Sequence, residues 1–144
     1  MEDLFDIDTL EFINTISSLV ITDEYNLKKA LELWSKCNKY DHITFWDTTK
    51  VKSMNKVFQN KEKFNELLLW NTKNVNTMKS MFDNAICFNQ PINFWIIDEV
   101  FDMEMMFCKA ESFNQSLNEW DVSNVNNMIS LFNGSLEFNQ DLDK

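Results

Sequence analysis

Trp recurs at Trp46, Trp70, Trp95 and Trp120, with spacings of 24, 25 and 25 residues, and other columns keep step with it. Five residues after each Trp comes Val51, Val75, Val100 or Val125; eight after comes Met54, Met78, Met103 or Met128; twelve after comes Phe58, Phe82, Phe107 or Phe132. A second Phe follows at Phe64, Phe88, Phe113 and Phe138, each time next to Asn65, Asn89, Asn114 or Asn139. A period near 25 residues constrains the fold more than any other feature. One such unit cannot bury its own apolar face, so neighbours must stack to form a shared core.

The hydrophobic period changes within each unit. Aliphatic Ile43, Leu67, Ile92 and Leu117 stand three residues before the Trp, and Leu117, Trp120 and Val122 end in alternation, which predicts a short strand with one buried face. Val51, Met54, Val57 and Phe58 then sit at i, i+3, i+6 and i+7, which predicts a helix of about ten residues. Thr49, Asp98 and Ser123 are favoured N-caps ahead of it, with Lys73 the departure. Asn60, Asn84 and Gly134 tolerate the left-handed conformation that ends a helix, with Lys109 the exception. The expected fold is therefore an α/β repeat solenoid of short parallel strands and helices, its strands joined by right-handed crossovers. The Asn65 to Asn139 column reads as a ladder of turn side chains bonding to adjacent coils, or alternatively as a row of ligand contacts.

Residues 1–41 lack the repeat and are expected to form an N-terminal helical cap, with residues 42–144 holding four repeats and the start of a fifth at Leu142. Leu10, Phe12, Ile13, Ile16, Leu19 and Val20 mark a first helix, Val20-Ile21-Thr22 a short edge strand, and Leu27, Ala30, Leu31 and Trp34 a second helix entered near Asp23 to Asn26. At the other end the last coil is left open. Its edge is a candidate surface for homodimerisation or aggregation.

Composition narrows the function classes. The 144 residues include one Gly, one Pro, one His, nineteen Asn and no Arg. That leaves nothing for a glycine-rich phosphate loop and little catalytic vocabulary. The net charge of −10 opposes nucleic-acid binding. It divides as −7 over residues 1–26, +6 over 27–80 and −9 over 81–144, so a Lys-rich middle lies between acidic ends. Cys37, Cys87 and Cys108 lack CxxC spacing and read as reduced thiols. The acidic N-terminus lacks a secretory pattern and no apolar run reaches about 20 residues, so an intracellular, cytoplasmic setting without membrane contact is expected. The sequons at Asn114 and Asn133 are read as chance matches.

The string from Trp120 through Asp121, Val122, Ser123, Asn124, Val125 and Met128 to Phe132, continuing to Phe138, Asn139 and Gln140, resembles the repeat of the BspA-like leucine-rich-repeat surface proteins, also known as a mycoplasma-type repeat domain of unknown function. The usual form is WDVSNVTNMSxMF…FNQ, and the likeness covers residues 42–144. Upstream, Asn26 to Trp34, with Tyr40 to Ile43, resembles the leader of members from large DNA viruses. The resemblance implies a leucine-rich-repeat-like stack and no assigned biochemistry. The third unit departs from the motif at Ile96, Ile97, Asp98 and Glu99, and the second at Asn71 to Lys73. Core columns survive while exposed columns drift.

The leading expectation is a non-enzymatic module that binds a protein partner and uses no cofactor or metal. Its candidate surface is Phe45, Asp47, Leu68, Leu69, Asn71, Phe94, Ile96, Glu119 and Asp121, on the exposed positions of successive strands. Self-assembly through the open C-terminal coil is the alternative. An enzyme is weaker: His42 is the lone imidazole, and the acids Asp98, Glu99, Asp102 and Glu104 lack the loop glycine of a calcium site.

Overall fold

A computed structural model describes residues 21–37 and 43–142 of the chain. Asp23 opens helix α1, Glu24–Cys37: its carboxylate accepts the Asn26 N–H at 2.8 Å and its carbonyl the Leu27 N–H at 3.1 Å. The expected stripe is its buried face. Leu27, Ala30 and Leu31 are buried and Trp34 packs edge-on against Phe64 of the first coil, 6.1 Å between ring centroids. The helix expected over residues 9–20 lies outside the described residues, as do Val20 and His42. Ile21 is buried and donates its N–H to Asp47 O, but it forms no strand.

The repeats form four stacked coils, numbered from the Trp that opens each, and they are built from turns. A four-residue turn from Met54 to Val57 closes through the Val57 N–H to Met54 O, and a second from Phe58 to Lys61 closes through the Lys61 N–H to Phe58 O. The third residue of each has a positive φ, 59° at Lys56 and 60° at Asn60, the type II pattern. The same pair of left-handed positions returns at Ser80 and Asn84, at Met105 and Lys109, and at Ser130 and Gly134. Gly134 takes this conformation, at φ 80°, without a Cβ penalty.

These turns leave alternate N–H groups pointing along the stack. Met54, Lys56, Phe58 and Asn60 donate to the carbonyls of Thr77, Lys79, Met81 and Asp83 at 2.9 to 3.0 Å. Met78, Ser80, Phe82 and Asn84 donate to Asp102, Glu104, Met106 and Cys108 at 2.8 to 2.9 Å, and the third coil repeats the arrangement onto the fourth. The only ladder contacts among the described residues are parallel single-residue bridges, Ser53 to Thr77, Thr77 to Asp102 and Asp102 to Asn127.

The expected α/β solenoid of strands and helices is thus overturned. Among the described residues there is one α-helix and one short 3-10 turn, Ile43–Phe45, and no strand. The aliphatic-to-Trp segment expected as a strand is a turn, with the Trp95 N–H to Ile92 O and the Trp120 N–H to Leu117 O. The bridges fall instead inside the segment expected as a helix. A helix spends every interior N–H on its own carbonyls, and ten residues of helix are marginal alone. The turn chain keeps apolar residues at the same spacing but frees every second N–H for the next coil.

The core follows the columns. Phe58, Phe82, Phe107 and Phe132 stack with centroids 5.3 to 5.7 Å apart and planes within 6°. Phe64, Phe88, Phe113 and Phe138 stack at 5.9 to 6.0 Å, and within each coil the two rings lie 3.9 to 4.1 Å apart. Offset rings at these separations contribute beyond area burial. The indole N–H groups of Trp70, Trp95 and Trp120 donate to the carbonyls of Ile43, Leu68 and Ile92 on the preceding coil. Those carbonyls identify the aliphatic core slot as Ile43, Leu68 and Ile92, and Leu117 stands at the same distance before Trp120; all four are buried. Leu67, expected in that slot, is half-buried because the second unit is one residue short before its Trp.

Candidate functional site

With the core columns turned inward, the residue just before each Trp faces out. Phe45 is 67% exposed, Leu69 47% and Phe94 46%, and Glu119 holds the same position on the fourth coil. The Leu69 N–H to Thr44 O bond fixes the first two of these side by side. The residue just after each Trp is also exposed: Asp47, Asn71, Ile96 and Asp121. The structure therefore brings eight of the nine expected surface residues onto one side of the stack, as two columns. Leu68 is the correction. It is fully buried, since the short second unit draws it into the slot that Ile43 and Ile92 occupy in their coils.

The polar members of these columns shape the backbone. Asp47 accepts both the N–H and the hydroxyl of Thr49, and these bonds hold its carboxyl below the usual range. Asp121 is lowered in the same way by the Ser123 N–H, and Asn71 Oδ1 accepts the Lys73 N–H. Thr49 and Ser123, expected as helix N-caps, and Lys73 in the same column are thus the donors of local turns, with the acceptor two residues upstream. Thr48 and Thr72 are buried on the next column and donate their hydroxyls to the carbonyls of Asn71 and Ile96.

Sequence reasoning missed Phe101, which is 48% exposed beside this surface. Its signal was an apolar residue in a column otherwise filled by Lys52, Asn76 and Asn126. A groove of about 330 Å³ runs between Lys52, Lys73 and Asn76 on one side and Ile96, Asp98 and Glu99 on the other. Charge thus changes sign along the stack. Lys50, Lys52 and Lys73 project from the first two coils, and Asp98 and Glu99 from the third.

Two of the four acids of the third unit, Asp102 and Glu104, have separate partners. Asp102 accepts the Glu104 N–H, while Glu104 bonds Lys79 at 2.7 Å and Asn127 Nδ2 at 3.1 Å. The Lys79 ammonium and the Asn127 amide hold Glu104 below the usual carboxylate range, and Glu104 in turn raises Lys79. Among the described residues no group of three or more His, Cys, Asp and Glu is placed to hold a metal. Cys87 and Cys108 are free thiols, Cys87 exposed and Cys108 buried, and burial pushes the Cys108 thiol up.

The Asn column is a ladder. Asn65, Asn89 and Asn114 accept through Oδ1 the backbone N–H of Asn89, Asn114 and Asn139 at 2.9 to 3.0 Å, and each also accepts from Gln90, Gln115 or Gln140. Those carboxamides are committed to the stack, which removes them from the candidate ligand row. Among the described residues no helix is long and apolar enough to cross a membrane.

A family model described as Mycoplasma protein of unknown function, DUF285, matches residues 25–144, which takes in nearly all of α1 and all four coils. No curated protein and no solved structure matches the chain.

Proposed function

The chain belongs to that Mycoplasma-type repeat family of unknown function, and from that footing we propose that it is a binding module for a protein partner, with no chemistry of its own. One observation carries the reading: Phe45, Leu69 and Phe94 form an exposed apolar column along the stack, with exposed Ile96 two residues beyond Phe94. Single exposed apolar residues are ordinary, but four on adjacent coils make a patch of the kind that partners cover. The flanking change from Lys to acid along the stack gives such a partner a fixed direction, because it must present acids toward the first coils and bases toward the third.

The free thiols Cys87 and Cys108 support a reducing compartment as the place of work.

The test is crosslinking capture in the producing cell, comparing the native chain with a Leu69→Asp/Phe94→Asp variant. Both substituted positions are about half exposed, so the variant keeps its fold. A partner recovered with the native chain and at least tenfold depleted with the variant supports the reading. Equal recovery with both chains, or none with either, overturns it.

A further inference from the structure

The exposed column of Phe45, Leu69 and Phe94 has a repeat length as well as an apolar character, and that length limits what can lie along it. Rings in one column step from coil to coil by 5.3 to 6.0 Å in the two Phe ladders and by 6.3 Å from Trp46 to Trp70. The backbones beneath them, joined by parallel bridges and by the Leu69 N–H to Thr44 O bond, lie about 4.8 Å apart. An occupant that touches three successive coils must run along the stack and offer an apolar side chain at that interval.

One turn of α-helix rises about 5.4 Å, inside the range. Two residues of extended chain rise about 6.6 Å and one turn of polyproline helix about 9.3 Å, both outside it. Residues at i, i+4 and i+7 of a helix thus fall over Phe45, Leu69 and Phe94 in turn, while an extended chain loses register by the third coil.

Charge supplies the direction. Downstream of their Trp the first two coils expose Lys50, Lys52 and Lys73, with Asp47 offsetting one of them, and the third exposes Asp98 and Glu99. Ile96 belongs both to the apolar surface and to the wall of the groove between Lys73 and Asp98, so these charges lie at the edge of the column.

We infer that the occupant is an amphipathic α-helix of the partner, lying along the stack with apolar residues one turn apart, acids at the end over the first coils and Lys or Arg at the end over the third. This rests on the binding-module reading and adds the form of the partner. A second copy of the chain offers no such helix among the described residues, because α1 buries its apolar stripe of Leu27, Ala30 and Leu31 within its own chain.

The probe is a synthetic peptide of about 16 residues, stapled on one face because a free helix of that length is marginal. It carries Leu at i, i+4 and i+7 on the opposite face, Glu in its first turn, Lys in its last, a benzophenone at its N-terminus and a fluorophore at its C-terminus. Anisotropy titration of the 144-residue protein should give saturable binding. Affinity should fall at least tenfold for the Leu69→Asp/Phe94→Asp protein, and at least tenfold when the three Leu are redistributed around the same stapled helix. An unstapled peptide of the same composition with Leu at alternate residues should also bind at least tenfold more weakly. Benzophenone adducts should map to the first coil, and should move to the third in a Lys52→Glu/Lys73→Glu/Asp98→Lys/Glu99→Lys variant, whose four substituted side chains are all exposed.

No saturable binding, binding indifferent to the Leu69→Asp/Phe94→Asp change or to the placement of Leu, or adducts on the same coil in both proteins overturns the helix as occupant. Capture in the producing cell reads the binding-module function by itself: a partner lost with the Leu69→Asp/Phe94→Asp variant beside a silent peptide leaves that function standing and removes only the helix.

Discussion

The third and fourth coils carry the same residue types in the same columns and differ in what covers them among the described residues. Val100, Met103 and Phe107 are at most 1% exposed; Val125 and Phe132 are half-buried, and Met128 is exposed. The column assigns a side chain its slot, but the neighbouring coil does the burying. That is the behaviour of an array whose stability is a sum over interfaces. The first coil sits at the other end under different terms, because α1 covers it with an apolar stripe of its own.

Breaking the contrast at its strongest point uses the Phe ladder. Phe107 is fully buried between Phe82 and Phe132 and against Phe113, so Phe107→Ala should cost about 3–5 kcal/mol in urea unfolding. Among the described residues Phe132 has a ring from a neighbouring coil on one side only, Phe107, and Phe132→Ala should cost about 1–2 kcal/mol. Equal losses would mean that the fourth coil is as well covered as the third.

The Asn ladder gives a smaller version of the same contrast. Asn89 Oδ1 accepts from the Asn114 N–H and from Gln115, so Asn89→Ala strands a donor of the next coil and should cost about 1–2 kcal/mol. No bond from a following coil reaches the Asn139 carboxamide among the described residues, and Asn139→Ala should stay within about 0.5 kcal/mol. Matching values in denaturant melts would refute the ladder as an inter-coil device.

The least effect is expected at the pair joining the second and third coils. Glu104 is held below its ordinary value of 4.5, so its contribution is present above that value and lost as pH falls through the lower folded value. Glu104→Gln should flatten the acid limb of a melting-temperature profile slightly, and added salt should shrink the difference between the two proteins. A variant whose acid limb matches the parent at low salt would show that Lys79 and Glu104 do not couple the coils.

Much of the architecture was legible in the columns. The Trp, Val, Met and double-Phe positions are core in the second and third coils, the Asn after the second Phe is a ladder, and α1 begins near its expected start. Which positions beside the Trp column are exposed was legible too, except at Leu68, where a one-residue shortening shifts the slot without changing residue type. The left-handed positions divide. Asn60, Asn84 and Gly134 were found because their side chains tolerate positive φ, although they serve turns and end no helix. Lys56, Ser80, Met105 and Ser130 were missed because nothing in their chemistry favours that conformation; the neighbouring coil imposes it.

What the sequence by itself determined is register: which residues of successive units lie above one another, and hence which face of each is apolar. Side-chain hydrophobicity carries that information directly. Only the tertiary structure decided how the backbone travels between those residues. Spacings of three and four suit a helix and a chain of type II turns equally well, and the choice rests on where alternate N–H groups find acceptors. Those acceptors belong to the next coil, about 25 residues away in sequence, so no local pattern could encode them.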